Sequence, residues 1–145
     1  MKRRMVTAIV LAIILAVALA IFIALYIDET KRTQRAYRRE FTASMKDASY
    51  EIGTYLDRGT DFDRHYRMTL SDLGTARSMI FLLESDDSTK AKAINELHYC
   101  FVLYPEQMKG KLEETKQAID DITDNLDKGY DEVTEIVESV DKMGK

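Results

Sequence analysis

From Val6 to Ile27 the chain reads VTAIVLAIILAVALAIFIALYI, 22 residues of which only Thr7 is conventionally polar. As a helix this run rises about 33 Å, enough to cross a hydrocarbon core of about 30 Å. Its apolar residues cover every face, whereas a helix at the edge of a soluble core keeps one face polar. The run therefore predicts a transmembrane helix over 6–27, preceded by a basic tail at 1–5. A cleaved signal peptide is the competing reading, because MKRR is basic and Ala18-Leu19-Ala20 suits a small-x-small cleavage site. Ile21 to Ile27 are as apolar as what precedes them, so the expectation is an uncleaved signal-anchor.

After Ile27 the pattern changes from continuous to periodic, and the period is helical throughout. Phe41, Met45, Ala48, Ile52 and Tyr55 step by four and three, and nothing between Ile27 and Tyr37 breaks a helix. The first helix of the body is placed at about 28–58, continuous with the span and ending where Gly59 can take a left-handed cap. A second, at about 61–84, has Thr60 or Asp61 as its cap. It turns Phe62, Tyr66, Leu70, Leu73, Ala76, Ile80 and Leu83 inward. Ser85-Asp86-Asp87-Ser88 makes a turn that offers Asp87 or Ser88 as the next cap. A third helix at about 89–104 carries Ile94, Leu97, Phe101 and Tyr104 and meets Pro105, which suits the first turn of a new helix.

The last segment has the longest seam. Met108, Leu112, Thr115, Ile119, Ile122, Leu126, Gly129, Val133, Ile136, Val140 and Met143 keep heptad spacing, which predicts one helix over about 106–143. Leu112, Ile119, Ile122, Leu126, Val133, Ile136 and Val140 form its candidate interaction seam. The seam could pack within the chain or pair with a second copy, and weak self-association is expected at its ends. Short turns favour antiparallel neighbours. The expected fold is all-α: an N-terminal transmembrane helix continuing into an antiparallel bundle of about four helices over 28–145.

Charge refines this picture. The chain has 21 Lys and Arg against 25 Asp and Glu, net −4, but residues 28–145 hold all 25 acids and only 18 of the bases. Residues 106–145 alone hold 12 acids and 6 bases, which makes nucleic acid a poor partner. Lys2, Arg3 and Arg4 precede the span, and Lys31, Arg32, Arg35, Arg38 and Arg39 follow it. A bare count of three against five would put the body inside. Asp28 and Glu29 at the boundary, and the compact basic tail before it, favour the N-terminus inside and the body outside the cytoplasm. Lys31, Arg32 and Arg35, with the three N-terminal bases, are the residues placed to meet lipid head groups.

Candidate chemistry is sparse. One cysteine rules out an intrachain disulfide. Cys100 lies near an inward face, where an inert thiol is expected. Asp61, Asp63 and His65 look like a ligand cluster, but on a helix alternate residues point about 200° apart. His98 and Cys100 fail for the same reason. Glu84, Asp86 and Asp87 lack the glycine and the spacing of a calcium loop. There is no glycine-rich phosphate loop, G-x-S-x-G or H-E-x-x-H motif. The sequence is thus read as non-enzymatic and without a cofactor. It is a membrane-anchored interaction or scaffold module, with lipid and another protein as partners. The alternative is an extracytoplasmic sensing domain holding a small molecule between helices, among Tyr66, Phe101 and Tyr104.

Overall fold

The computed structural model describes residues 2–84 and 88–142, with side chains from Met5 onward. Six helices and no strand occur among the described residues: α1 (Lys2–Arg58), α2 (Phe62–Leu83), α3 (Thr89–Leu103), α4 (Pro105–Lys109), α5 (Leu112–Asp124) and α6 (Tyr130–Glu138). The chain divides into two compact units, residues 1–36 and 37–145. Among the described residues the first unit is helix alone. Its side chains from Met5 to Ile27 are exposed, and it is long and apolar enough to cross a membrane.

The second unit has a core drawn from all six helices, α4 contributing Met108. Phe41, Met45, Ala48 and Ile52 of α1 are buried at the spacing of four and three read from the sequence. α1 ends as expected: Gly59 takes φ +66°, and its N–H donates to the Tyr55 carbonyl at 2.7 Å. Asp61 occupies the cap position of α2 in a left-handed conformation, φ 58°, without a side-chain capping bond. α2 buries Leu73, Ala76 and Ile80 and half-buries Phe62, Tyr66, Leu70 and Leu83, and it also buries His65 and Thr69. Ser88 caps α3 by accepting the Ala91 N–H at 3.0 Å. Asp86 and Asp87, the other acids of that turn, lie outside the described residues. α3 then buries Ile94, Leu97, Cys100 and Phe101 and packs against both α2 and α6.

The single helix expected over 106–143 is instead three elements. Pro105 starts α4, and after five residues Gly110 and Lys111 tighten into i+3 bonds with the Gln107 and Met108 carbonyls. α5 stops at Asn125, whose side-chain oxygen accepts the Asp127 N–H at 3.1 Å. The Asn125 carbonyl accepts from Lys128, and Gly129 turns the chain at φ +83°. α6 then returns along α5, so that Asp141 near its end exchanges two hydrogen bonds with Gln107 of α4. A heptad seam records only which side of each turn is apolar. Both halves keep that side inward although the chain reverses between them. Met143 lies outside the described residues.

α5 also lies antiparallel to the second half of α1. Ser49 donates its hydroxyl to Asp120 at 2.5 Å, and a β-carbon at Gly53 would come within 3.0 Å of the Lys116 side chain.

Candidate functional site

The seven seam residues are placed inside the second unit. Leu112, Ile119, Ile122, Val133, Ile136 and Val140 are buried and Leu126 is half-buried. Complete burial of an Ile or Leu side chain contributes about 1.5–3 kcal/mol. The seam is therefore used for the fold, and it leaves no exposed apolar strip on α5 or α6 among the described residues. Lys31, Arg32 and Arg35 are exposed on α1, while the side chains of Lys2, Arg3 and Arg4 are outside what the structure describes. In the apolar span Ala8, Ala12, Ala16, Ala20 and Ala24 recur every four residues and share one face. That regularity was readable from the sequence but is invisible to a count of apolar residues.

Of Tyr66, Phe101 and Tyr104, the first two stack on each other, and Tyr104 donates its hydroxyl to the Lys142 carbonyl at 3.3 Å. Tyr55, Phe62, Tyr66 and Phe101 follow one another with ring centroids 5.1, 5.1 and 5.2 Å apart. Lys109 sits over the Phe62 ring at 4.5 Å. The cavity beside them, bordered by Ile52, His65 and Leu112, measures about 10 Å³, room for about one water. The Tyr66 hydroxyl donates to the Phe101 carbonyl at 2.8 Å, and burial, then Cys100 and Glu106, push its pKa well up.

The two histidines serve different interfaces. His65 Nδ1 meets Glu51 Oε2 at 2.6 Å, joining α2 to α1, with both side chains nearly buried. His98 of α3 lies against Gly74 of α2, its Nε2 3.4 Å from where a β-carbon would stand. Burial, and then the Arg77 charge, hold the His98 pKa below its ordinary value. Cys100 is fully buried, and burial raises its thiol pKa, which leaves little thiolate to react. No group of three His, Cys, Asp or Glu residues able to hold a metal occurs among the described residues.

One concave feature was missed by sequence reasoning. α5 and α6 flank a groove of about 620 Å³, floored by Ala118 and Ile136. Glu114 and Asp121 stand on the α5 side, Glu132 and Glu135 on the α6 side, and Lys111 and Ser139 at one end. An adjoining hollow of about 340 Å³ adds Asp127 and Asp131 and shares Asp121 and Glu132 with the groove. In a straight helix Glu114, Asp121, Glu132 and Glu135 would form one solvated stripe. The reversal at Asn125–Gly129 instead sets two acidic rows opposite each other. An Asn-to-Gly turn signal inside the heptad run was the available clue. Apart from the groove, Tyr99, Val102 and Leu103 are large apolar side chains exposed on α3.

Comparison with known proteins identifies no relative: no family model, no curated protein and no solved structure matches this chain.

Proposed function

We propose that this chain is a single-pass membrane protein whose helical bundle acts as a non-enzymatic interaction or scaffold module, held with its N-terminus inside and its body outside the cytoplasm. The observation that carries this reading is the change of character along α1. From Met5 to Ile27 its side chains are apolar and exposed apart from Thr7, and from Phe41 onward its apolar face is buried in a self-contained core. Apolar exposure on that scale suits lipid as the surrounding solvent. The body's described contacts are packing, capping and ion pairing, and Tyr66 stacks on Phe101 with only about 10 Å³ of space beside it. Residues 28–145 carry 25 acids against 18 bases, an excess of negative charge that favours a partner of opposite sign.

Two measurements test the reading. Protease added to intact cells or spheroplasts should remove the body and spare the span, and protection until lysis would reverse the orientation. Crosslinking in native membranes should then recover a second protein at fixed stoichiometry. Recovery of the chain by itself, or release of a bound small molecule in its place, would overturn the scaffold assignment.

A further inference from the structure

We propose that the groove between α5 and α6 docks a basic helical segment of a partner protein. The inference rests on the interaction reading above and names the surface and the chemistry it takes.

Charge balance on these two helices is uneven in a telling way. Asp120 of α5 is neutralised by Lys116 at 2.6 Å, and Asp127, in the turn between the helices, by Lys90 at 2.5 Å. Glu114, Asp121, Glu132 and Glu135, by contrast, enter no ion pair among the described residues, although they face one another across the groove. Like charges on facing rows repel. An occupant that brings positive charge relieves that repulsion. Nucleic acid or an anionic lipid surface would add to it.

Shape narrows the occupant further. Glu114 and Asp121 are seven residues apart, about 10.5 Å along α5, and Glu132 and Glu135 are three apart, about 4.5 Å along α6. Lysine or arginine at positions i, i+4 and i+7 of a helix presents cations at matching intervals along one face. The floor is apolar, Ala118 and Ile136, and accepts the aliphatic stems of such side chains. Lys111 closes one end, so charge favours entry from the end nearer Asp121 and Glu132.

The test uses the full chain in nanodiscs of zwitterionic lipid. The probe is a synthetic 14-residue helix with Lys and Arg at i, i+4, i+7 and i+11, labelled for fluorescence anisotropy. The comparison peptide has the same composition with its bases spread around the helix. The expected result is saturable binding of the first peptide, weakened by raising salt. The combined substitution Glu114→Gln, Asp121→Asn, Glu132→Gln and Glu135→Gln should weaken it by about tenfold or more, the sum of several surface pairs. All four side chains are outside the core, and circular dichroism checks that the variant folds. Unchanged affinity in that variant would place the peptide elsewhere, overturning the groove while leaving the interaction reading intact. Equal binding of the comparison peptide would reduce the effect to net charge and also overturn it. So would a groove that takes millimolar calcium or magnesium and neither peptide. Absence of any partner in the membrane crosslinking would instead defeat the interaction reading itself.

Discussion

Tyr66 supplies a hydrogen bond that Pro105 withholds from Phe101. In a continuing helix the Phe101 carbonyl would accept from the N–H four residues on, but residue 105 is proline and has none. The Tyr66 hydroxyl reaches across from α2 and donates to that carbonyl at 2.8 Å, while its ring stacks on the Phe101 ring. One side chain thus compensates for the break between α3 and α4 and fixes α2 against it.

Tyr66→Phe should therefore cost about 1–2 kcal/mol, because the ring packing survives and a partly buried carbonyl loses its donor. In a Pro105→Ala background the new N–H can serve the same carbonyl, and the cost of Tyr66→Phe should fall below about 0.5 kcal/mol. Chemical denaturation of the four chains in this double-mutant cycle measures the coupling. Equal costs in both backgrounds would mean that the hydroxyl does not act through Phe101.

A pH dependence follows from Asp72. Burial, then the charges of Asp47 and Glu51, raise its pKa above the ordinary value. The folded chain therefore holds this proton more tightly than the unfolded chain does. The stabilising contribution is full below the unfolded value of about 3.9 and is lost as pH rises through the higher folded value. At pH 7 an ionised Asp72 works against the fold, so Asp72→Asn should melt at a higher temperature than the parent. Near pH 3 both carry a neutral side chain and the difference should vanish. Thermal melts at the two pH values check the sign.

Thr115 occupies a core position on α5 with its hydroxyl buried and without a hydrogen-bond partner. Such a group forfeits its hydration and receives nothing in return, a cost of about 1–3 kcal/mol. Thr115→Val keeps the branched shape and should raise stability by about 1 kcal/mol, read as a later denaturation midpoint at unchanged slope. Destabilisation would reveal a partner for the hydroxyl.

How legible all this was depends on the kind of signal involved. The long apolar N-terminal helix, the end of α1, both ends of α3, and the core faces of α1 and α3 were readable because each rests on local features: an unbroken apolar run, Gly59, Ser88, Pro105, and apolar steps of four and three. The path of the chain after Pro105 was not. The seam from Met108 to Val140 keeps its register through Gly110 and Gly129, so periodicity alone describes one helix as well as three. What decides is the backbone: two tightened turns at Gly110 and Lys111, an Asn125 side chain that bonds its own turn, and one residue at positive φ. The acidic groove exists only because of that reversal, which the periodicity does not register. His65 and Thr69 were missed as buried residues because polar side chains carry no weight in an apolar pattern. Their partners, Glu51 for His65 and the His65 carbonyl for Thr69, are what make the burial affordable.

Gly129 is the position on which the reversal depends, and two independent constraints meet there. Its φ of +83° lies in the region that side-chain-bearing residues avoid, at a cost of about 1 kcal/mol for alanine. In addition, a β-carbon would stand 2.5 Å from the Ala118 carbonyl oxygen and 2.7 Å from Ile122 Cγ1. Relief of the first contact requires α5 and the turn to part, and overpacking of this kind costs about 1–3 kcal/mol. Gly129→Ala should therefore destabilise by about 2–4 kcal/mol. Trimming the neighbour does not cure it: Ile122→Val at most relaxes a side chain, while the clash with the Ala118 carbonyl is with backbone. The combined variant Gly129→Ala, Ile122→Val should thus be no more stable than Gly129→Ala, as measured by denaturant midpoints. Were alanine at 129 tolerated at parental stability, α5 and α6 could not be folded back on each other as closely as described, and the continuous helix first read from the heptads would regain its standing.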